Sequence, residues 1–284
     1  MAGKGYIDID DADYPILLRL ISDPPTRLYY SGNLELLKSP TVAIVGSRKS
    51  TEYGSWAART IAKRLSDYGI SVVSGMAEGI DSRAHEGAIS GQTPTIAVFG
   101  SSLDICFPRF NKGLMKQIEE TGLILSEYPE TTHPTRYTFP QRNRIISGLS
   151  YATVVVEAGI KSGSLITAEF AVDQGREVYA VPANINRKSS VGCNKLIRDG
   201  AKPLAFIDDI LYDLGIETNF TDSMDAELSG EQKRIMEALE KRGELSIDSL
   251  QTLLALPIGV ITGAVTILEI KGLVSVALGN VMRL

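Results

Sequence analysis

Two cysteines, Cys106 and Cys193, and two histidines, His85 and His133, are all that 284 residues offer toward a disulfide framework or a metal site. No pairing among them has metal-ligand spacing, so a structural metal is not expected. Nor can a Ser-His-Asp arrangement be assembled, and His85, in a helical pattern, reads as a surface or packing residue rather than a base. No apolar run approaches the length needed to span a bilayer, and the opening MAGKGYIDIDDADYP lacks the apolar core of a secretion signal. A cytoplasmic protein with no membrane partner is expected. The glycines do not spell G-x-G-x-x-G, and there is no G-x-x-x-x-G-K-S/T, which removes a dinucleotide fingerprint and ATP hydrolysis by a P-loop. Positive charge is also short. A net charge of −5 and a pI near 5.3 exclude coating of nucleic acid by bulk attraction. A local basic groove survives that exclusion, because affinity for phosphates depends on the few cations within reach of them.

What is present describes an ordinary globular chain, 44% hydrophobic and 22% charged, long enough for one large domain and a small one. Its centre is the stretch from Pro134 to Phe170, PTRYTFPQRNRIISGLSYATVVVEAGIKSGSLITAEF. Thr153 and the run Val154, Val155, Val156 predict a parallel strand covered on both faces. Glu157, Ala158 and Gly159 end it, and Lys161-Ser162-Gly163-Ser164 leads into a helical pattern through Phe170. Small residues at that point let backbone amides face outward with the positive end of the helix dipole behind them, a cradle for phosphate. Just upstream, Arg136, Arg142 and Arg144 stand beside Tyr137 and Phe139, so cations for phosphates and rings for bases share one segment. Each piece also has a plainer use. Gly-Ser turns cap helices in any protein, and Tyr137 and Phe139, alternating with Thr138, could be core. Three clustered guanidinium groups are costly to bury, and they favour a site.

The same design recurs along the chain. Thr41 to Val45 reads as a strand closed by Gly46-Ser47-Arg48, before a helix from about Glu52 to Tyr68. Ile70 to Val73, Thr95 to Phe99, Leu123 to Ser126 and Val178 to Val181 are further strands, with a helix through Arg83 to Ile89 after the first of them. Alternating strands and helices imply a mostly parallel sheet with helices on both faces, and ligands in such sheets bind beyond the carboxyl ends of the strands. Residues 1–39, with Pro-punctuated Tyr6 to Leu37, read as a lead-in packed on this main domain of residues 40–217. The acidic run TNFTDSMDAE opens a linker over 218–228, and residues 229–284 form a second domain. Ser229 and Gln232 match a capping box for a helix to about Lys241; Ser246 starts a second helix to Leu254, and Pro257 a third to Lys271. Leu273 to Ala277 and Val281 to Leu284, around Gly279-Asn280, predict a two-stranded wing. That is a winged helix, but its recognition helix, IGVITGAVTILEIKG, has almost no cation for phosphate and no Asn, Gln or Arg near its start to read a base.

Taken together, AIVGSRKSTEYG (43–54), SGMAEGIDSRAHEGAI (74–89), TIAVFGSSLDICFPRFN (95–111), LSEYPETTHPTRYTFPQRNRIISGLS (125–150), VVVEAGIKSGSLITAEFA (154–171) and VGCNKLIRDGAKPL (191–204) resemble the DNA-processing protein A family. The resemblance implies an α/β, extended Rossmann-like domain that binds single-stranded DNA, protects it during natural transformation or recombination, and helps load the recombinase RecA. It implies no cofactor and no catalysis. Its DNA contacts fall on Arg48, Arg136 and Phe139, with Ser47, Arg142, Asn143, Arg144, Lys161, Ser162, Gly163 and Ser164 completing the set. Arg136 stands where some members have Lys. Many members carry a small helical domain ahead of the Rossmann-like part, and the resemblance leads to the expectation that this chain lacks it. Family members also form homodimers, which in this chain would involve the region around Asn194 to Phe206. A competing expectation comes from related folds that hydrolyse nucleotide N-glycosidic bonds, which Gly163, Thr167 and Glu169 resemble loosely; no second acid-base partner for Glu157 or Glu169 is evident.

Overall fold

The computed structural model describes residues 3–217, 228–270, 273–277 and 279–283. The chain divides into two compact units, Met1–Ile216 and Glu217–Leu284. The first is built on strands β1 (Gly3–Asp8), β2 (Arg27–Gly32), β3 (Thr41–Val45), β4 (Ser71–Ser74), β5 (Ile96–Phe99), β6 (Leu123–Ser126), β7 (Ala152–Val155), β8 (Glu177–Ala180) and β9 (Lys202–Pro203). Its helices are α1 (Ile16–Arg19), α2 (Glu52–Asp67), α3 (Ile80–Ile89), α4 (Lys112–Thr121), α5 (Thr138–Gly148), α6 (Gly163–Asp173), α7 (Val191–Arg198) and α8 (Asp208–Asp213). The sheet order is β1-β2-β6-β5-β4-β3-β7-β8-β9, parallel from β6 to β9. All five residues of β3 are buried, as an apolar run in a doubly covered strand must be. Their alternation assigns the two cores. Ala43 and Val45 join Leu18, Leu28, Ile145 and Ala168 on one face, whereas Val42 and Ile44 join Ile61, Leu65, Ile80 and Ile210 on the other. Each such leucine or isoleucine taken fully from water contributes about 1.5 to 3 kcal/mol.

The segment read as a lead-in is part of the sheet itself. β1 pairs antiparallel with β2, and β2 pairs antiparallel with β6, Tyr30 opposite Leu125. Without β2 the edge of β6 would present a row of unpaired backbone groups, and the extra hairpin covers it. Tyr14 anchors the return, buried with its hydroxyl donating to Pro25 O at 2.6 Å.

The second unit comprises α9 (Gly230–Arg242), β10 (Leu245–Ser246), α10 (Ile247–Leu254), α11 (Ile258–Ile270), β11 (Val274–Ala277) and β12 (Asn280–Arg283), around a core that includes Ile235, Leu250, Ile261 and Val281. The capping box is formed: Gln232 N–H donates to Ser229 Oγ at 3.3 Å and Ser229 N–H to Gln232 Oε1 at 3.0 Å. The wing has three strands rather than two, because β10 pairs with β12, Leu245 opposite Val281. The linker expected over 218–228 lies, except for Leu228, outside the described residues.

His85 is a packing residue of α3, fully buried. Thr95 Oγ1 donates to Val72 O at 2.7 Å, so the ring must donate to Thr95 from Nδ1, also at 2.7 Å, and Nε2 is left without a partner. Burial, aided by the Arg142 charge, holds the imidazole down to about 3 against an ordinary value of 6.5. Only the unfolded chain therefore takes up this proton between pH 6.5 and about 3. Above that window the ring leaves stability independent of pH; within it, stability falls with pH by up to ~1.4 kcal/mol per unit. Urea unfolding of wild type and His85→Gln across the window should show the steeper acid loss in wild type only.

Candidate functional site

Strand β3 sits at the point where the winding reverses, with β4, β5 and β6 laid on one side and β7 and β8 on the other. A crevice opens there beyond the carboxyl ends of β3 and β7, the place such sheets use for ligands. It is a cleft of about 780 Å³, walled by the turn after β3, the N-terminus of α6 and one face of α5.

The turn after β3 is built by close approach. A Cβ on Gly46 would lie 2.6 Å from Ile80 Cγ1 and 2.9 Å from Glu157 O, so only glycine fits. Ser47 N–H donates to Glu157 O at 2.7 Å, and Ile80 N–H to Ser47 O at 3.1 Å. The Ser47 hydroxyl is engaged with the backbone of Lys49, accepting from its N–H and donating to its carbonyl. Glu157 is buried, and its Oε2 accepts from Thr51 N–H and Thr51 Oγ1, both at 2.9 Å, while Thr51 caps α2. Arg48 and Lys49 project from this turn, and the Arg48 guanidinium stands 5.3 Å from the Phe139 ring centroid.

Phe139 belongs to the first turn of α5, and the stretch Phe139 to Ile146 presents residues to the cleft at helical spacing: Phe139, Arg142, Asn143 and Ile146. The Phe139 ring packs at 5.5 Å from Phe107 and against Gly100, where a Cβ would lie 3.0 Å from Phe139 Cδ1. Arg136 is exposed on the rim, bonded to the Tyr137 hydroxyl and 4.7 Å from that ring. On the opposite wall, Ser162 caps α6, and Ser162, Gly163 and Ser164 bring the positive end of its dipole to the cleft. Asn143 Nδ2–H donates to Gly163 O at 3.3 Å and ties the two walls. Lys161 is exposed beside this wall but does not line the cleft.

Two of the three clustered arginines do not offer a free guanidinium, which corrects their reading as phosphate contacts. Arg142 is buried and donates from Nη1 to Gly75 O and Val98 O, both at 2.5 Å, joining the ends of β4 and β5. Burial pushes its guanidinium down to about 10, still charged at neutral pH. Gly75 makes room for it, since a Cβ there would sit 2.2 Å from Arg142 Nη1. Asp81 is also buried; desolvation raises its carboxyl, against the pull of Arg142 and the Gly75 N–H. Arg144 points to the other side of α5, held by Glu127 at 2.7 Å and Asp23 at 3.0 Å. Proximity in sequence did not indicate direction. Reading Phe139 to Ile146 at a period of 3.6 would have separated Arg144 from the cleft. Lys49, Phe107 and Ile146 line the cleft without having been singled out, and the CFPRF segment of the quoted motif is the signal that held Phe107.

Fold and cleft define the chain first as a Rossmann-like α/β protein with its candidate site at the topological switch point. It belongs to the DNA recombination-mediator protein A family, whose model matches residues 5–215, and a DprA winged helix domain matches residues 221–280. DNA processing protein DprA of Streptococcus pneumoniae is 44% identical over 203 residues, covering 72% of this chain and 71% of that one. Protein Smf of Synechocystis is 44% identical over 214 residues, 74% of this chain, and the match spans about half, 54%, of that longer protein. Among solved structures, S. pneumoniae DprA superposes with a TM-score of 0.72 at 42% identity, over 76% of this chain and 75% of that one. DNA processing protein A from Helicobacter pylori, described for its unique single-stranded DNA binding mode, gives 0.67 at 33% identity over 74% and 95%.

The two walls depend on Glu157. Its replacement by alanine leaves the half-buried Thr51 N–H and hydroxyl without their acceptor, while the backbone bond from Ser47 N–H to residue 157 remains. Glu157→Ala should lower stability by about 1 to 3 kcal/mol, read as a shift of the urea midpoint with the slope unchanged.

Proposed function

We propose that this chain binds single-stranded DNA in the switch-point cleft, shields the strand during recombination or natural transformation, and helps load RecA onto it. It works as a binding protein of the cytoplasm, and as a homodimer through the region around Asn194 to Phe206. The observation that carries the binding reading is the Arg48 guanidinium set beside the partly exposed Phe139 ring at the mouth of the cleft. A flexible strand can place a base on that ring while Arg48, Arg136 and Lys161 hold neighbouring phosphates and the α6 amides face another; a duplex hides its base faces in the stack. The H. pylori relative's single-strand binding supports the choice of ligand. The RecA and dimer parts rest on the family resemblance.

The hydrolase reading finds little support in the geometry. Glu157 is buried with Oε2 on Thr51, and Glu169 is exposed away from the cleft. Asp81 is the one carboxylate among the described residues that line it, and it faces the Gly75 amide. Two carboxyl groups flanking a bond, as glycoside cleavage commonly requires, are not brought together there.

Ring and cations separate experimentally. Phe139→Ala should remove roughly 1 to 3 kcal/mol of stacking, about a tenfold to hundredfold loss, with the salt dependence nearly unchanged. Arg48→Ala or Arg136→Ala should weaken binding and flatten log affinity against log salt by about 0.7 per lost contact. Anisotropy titrations with single-stranded and duplex oligonucleotides at several salt concentrations measure both. Equal affinity for duplex, or a folded Phe139→Ala protein that binds like wild type, would sink this reading.

The second unit is an unfavourable DNA reader. The exposed positions of α11 include Ile258, Val260 and Ile267 and no cation, which suits a protein contact better than a phosphate backbone. The first unit has its own cores on both faces of its sheet. A chain ending near Thr218 should therefore stay folded and keep most single-strand affinity; its loss would move the reader to the winged helix.

A further inference from the structure

The cations of the first unit are unevenly paired across its surface. Among its described residues, most lysines and arginines are held by a carboxylate or a carbonyl. Lys4 pairs with Glu119, Arg27 with Asp8, Arg64 with Asp208 and Lys202 with Asp213, and Arg176 donates to Leu17 O. The exposed cations with neither a carboxylate nor a carbonyl partner fall in the connections at the carboxyl edge of the sheet or, for Lys112, at the first residue of the helix that follows. Arg48 and Lys49 follow β3, Arg136 follows β6, and Lys161 follows β7. Two further pairs lie outside the cleft lining: Arg109 and Lys112 after β5, and Arg187 and Lys188 after β8.

Position and surroundings make these outer pairs more than scattered surface charge. An exposed apolar side chain accompanies each, Phe110 at 67% beside Arg109 and Ile185 at 91% beside Arg187. The loop 181–190 contains no carboxylate, and the Lys188 carbonyl comes within 3.3 Å of where a Gly159 Cβ would be, so it abuts the turn that precedes Lys161. Exposed Glu52, Glu78, Asp104 and Glu130 share the edge without pairing with any of these cations. From β5 to β8 the sheet takes four steps through β4, β3 and β7; at about 4.8 Å a step that is roughly 19 Å of edge. The unpaired cations of the first unit's described residues are gathered there.

We infer that a single strand crosses this edge at right angles to the β-strands, from the Arg109–Lys112 loop through the cleft to the Arg187–Lys188 loop, so that the outer pairs hold phosphates on either side of the nucleotides in the cleft. The inference rests on the single-strand reading of the cleft and extends it. Its test uses the full chain, thymidylate oligomers from about 4 to about 16 nucleotides, the span of known single-strand site sizes, and the double variants Arg109→Ser with Lys112→Ser and Arg187→Ser with Lys188→Ser. These side chains make no hydrogen bond or ion pair, so folding is not at issue. For each double variant the shortest oligomer should bind like wild type, while the longest binds more weakly with a salt slope flatter by about 1.4, two contacts. Wild-type affinity and slope at every length, or equal loss at the shortest and longest, would overturn the track and leave the cleft standing if Arg48→Ala still weakens binding. Wild type without single-strand affinity at any length would remove the cleft reading and the track together.

Discussion

The backbone bond from Ser47 N–H to Glu157 O, with the Glu157 carboxylate gripping Thr51, is the constraint on which the site depends. It couples the turns that leave β3 and β7, the two strands between which the winding reverses. Everything at the mouth of the cleft inherits its position from that coupling. Gly46 and Gly79 are forced by it, because the chains approach so closely that Cβ atoms would meet Ile80 and the Ser47 carbonyl; Gly79 in addition has φ +79°. With the turn so held, the Arg48 and Lys49 side chains project from it.

Below the mouth, the floor is held by buried charge. Arg142 draws together the ends of β4 and β5 through two carbonyls, with Asp81 nearby and Gly75 hollowed to admit it. A guanidinium in that place is expensive to desolvate, and it is tolerated because carbonyls and a neighbouring carboxylate compensate it. The result is a division of labour among residues of one type. Arg142 and Arg144 organise the wall, and Arg48 and Arg136 remain exposed at the mouth.

The strands, the glycine turns at their ends and the capped helices of the second unit were legible in the sequence. β-branched runs closed by glycine admit few other structures, and a Ser-x-x-Gln box marks a helix start by its own hydrogen bonds. The lead-in was less so. GKGYID alternates weakly, and its place as an edge hairpin follows from the exposed side of β6, which a local pattern does not contain. β10 escaped notice for the same reason: two residues become a strand only because β12 lies beside them.

By itself the sequence determined the α/β alternation, the glycine turns along the carboxyl edge of the sheet, and the segments that carry cations and rings, because these follow from local periodicity, turn chemistry and the short motifs of one family. The tertiary structure alone decided which of those groups are available. Arg142 and Arg144 lie two residues apart, yet one is sealed into the floor and the other is turned to Glu127 and Asp23. Availability is set by helix phase and by carboxylates and carbonyls brought from 17 to 121 positions away, and long-range packing fixes those partners.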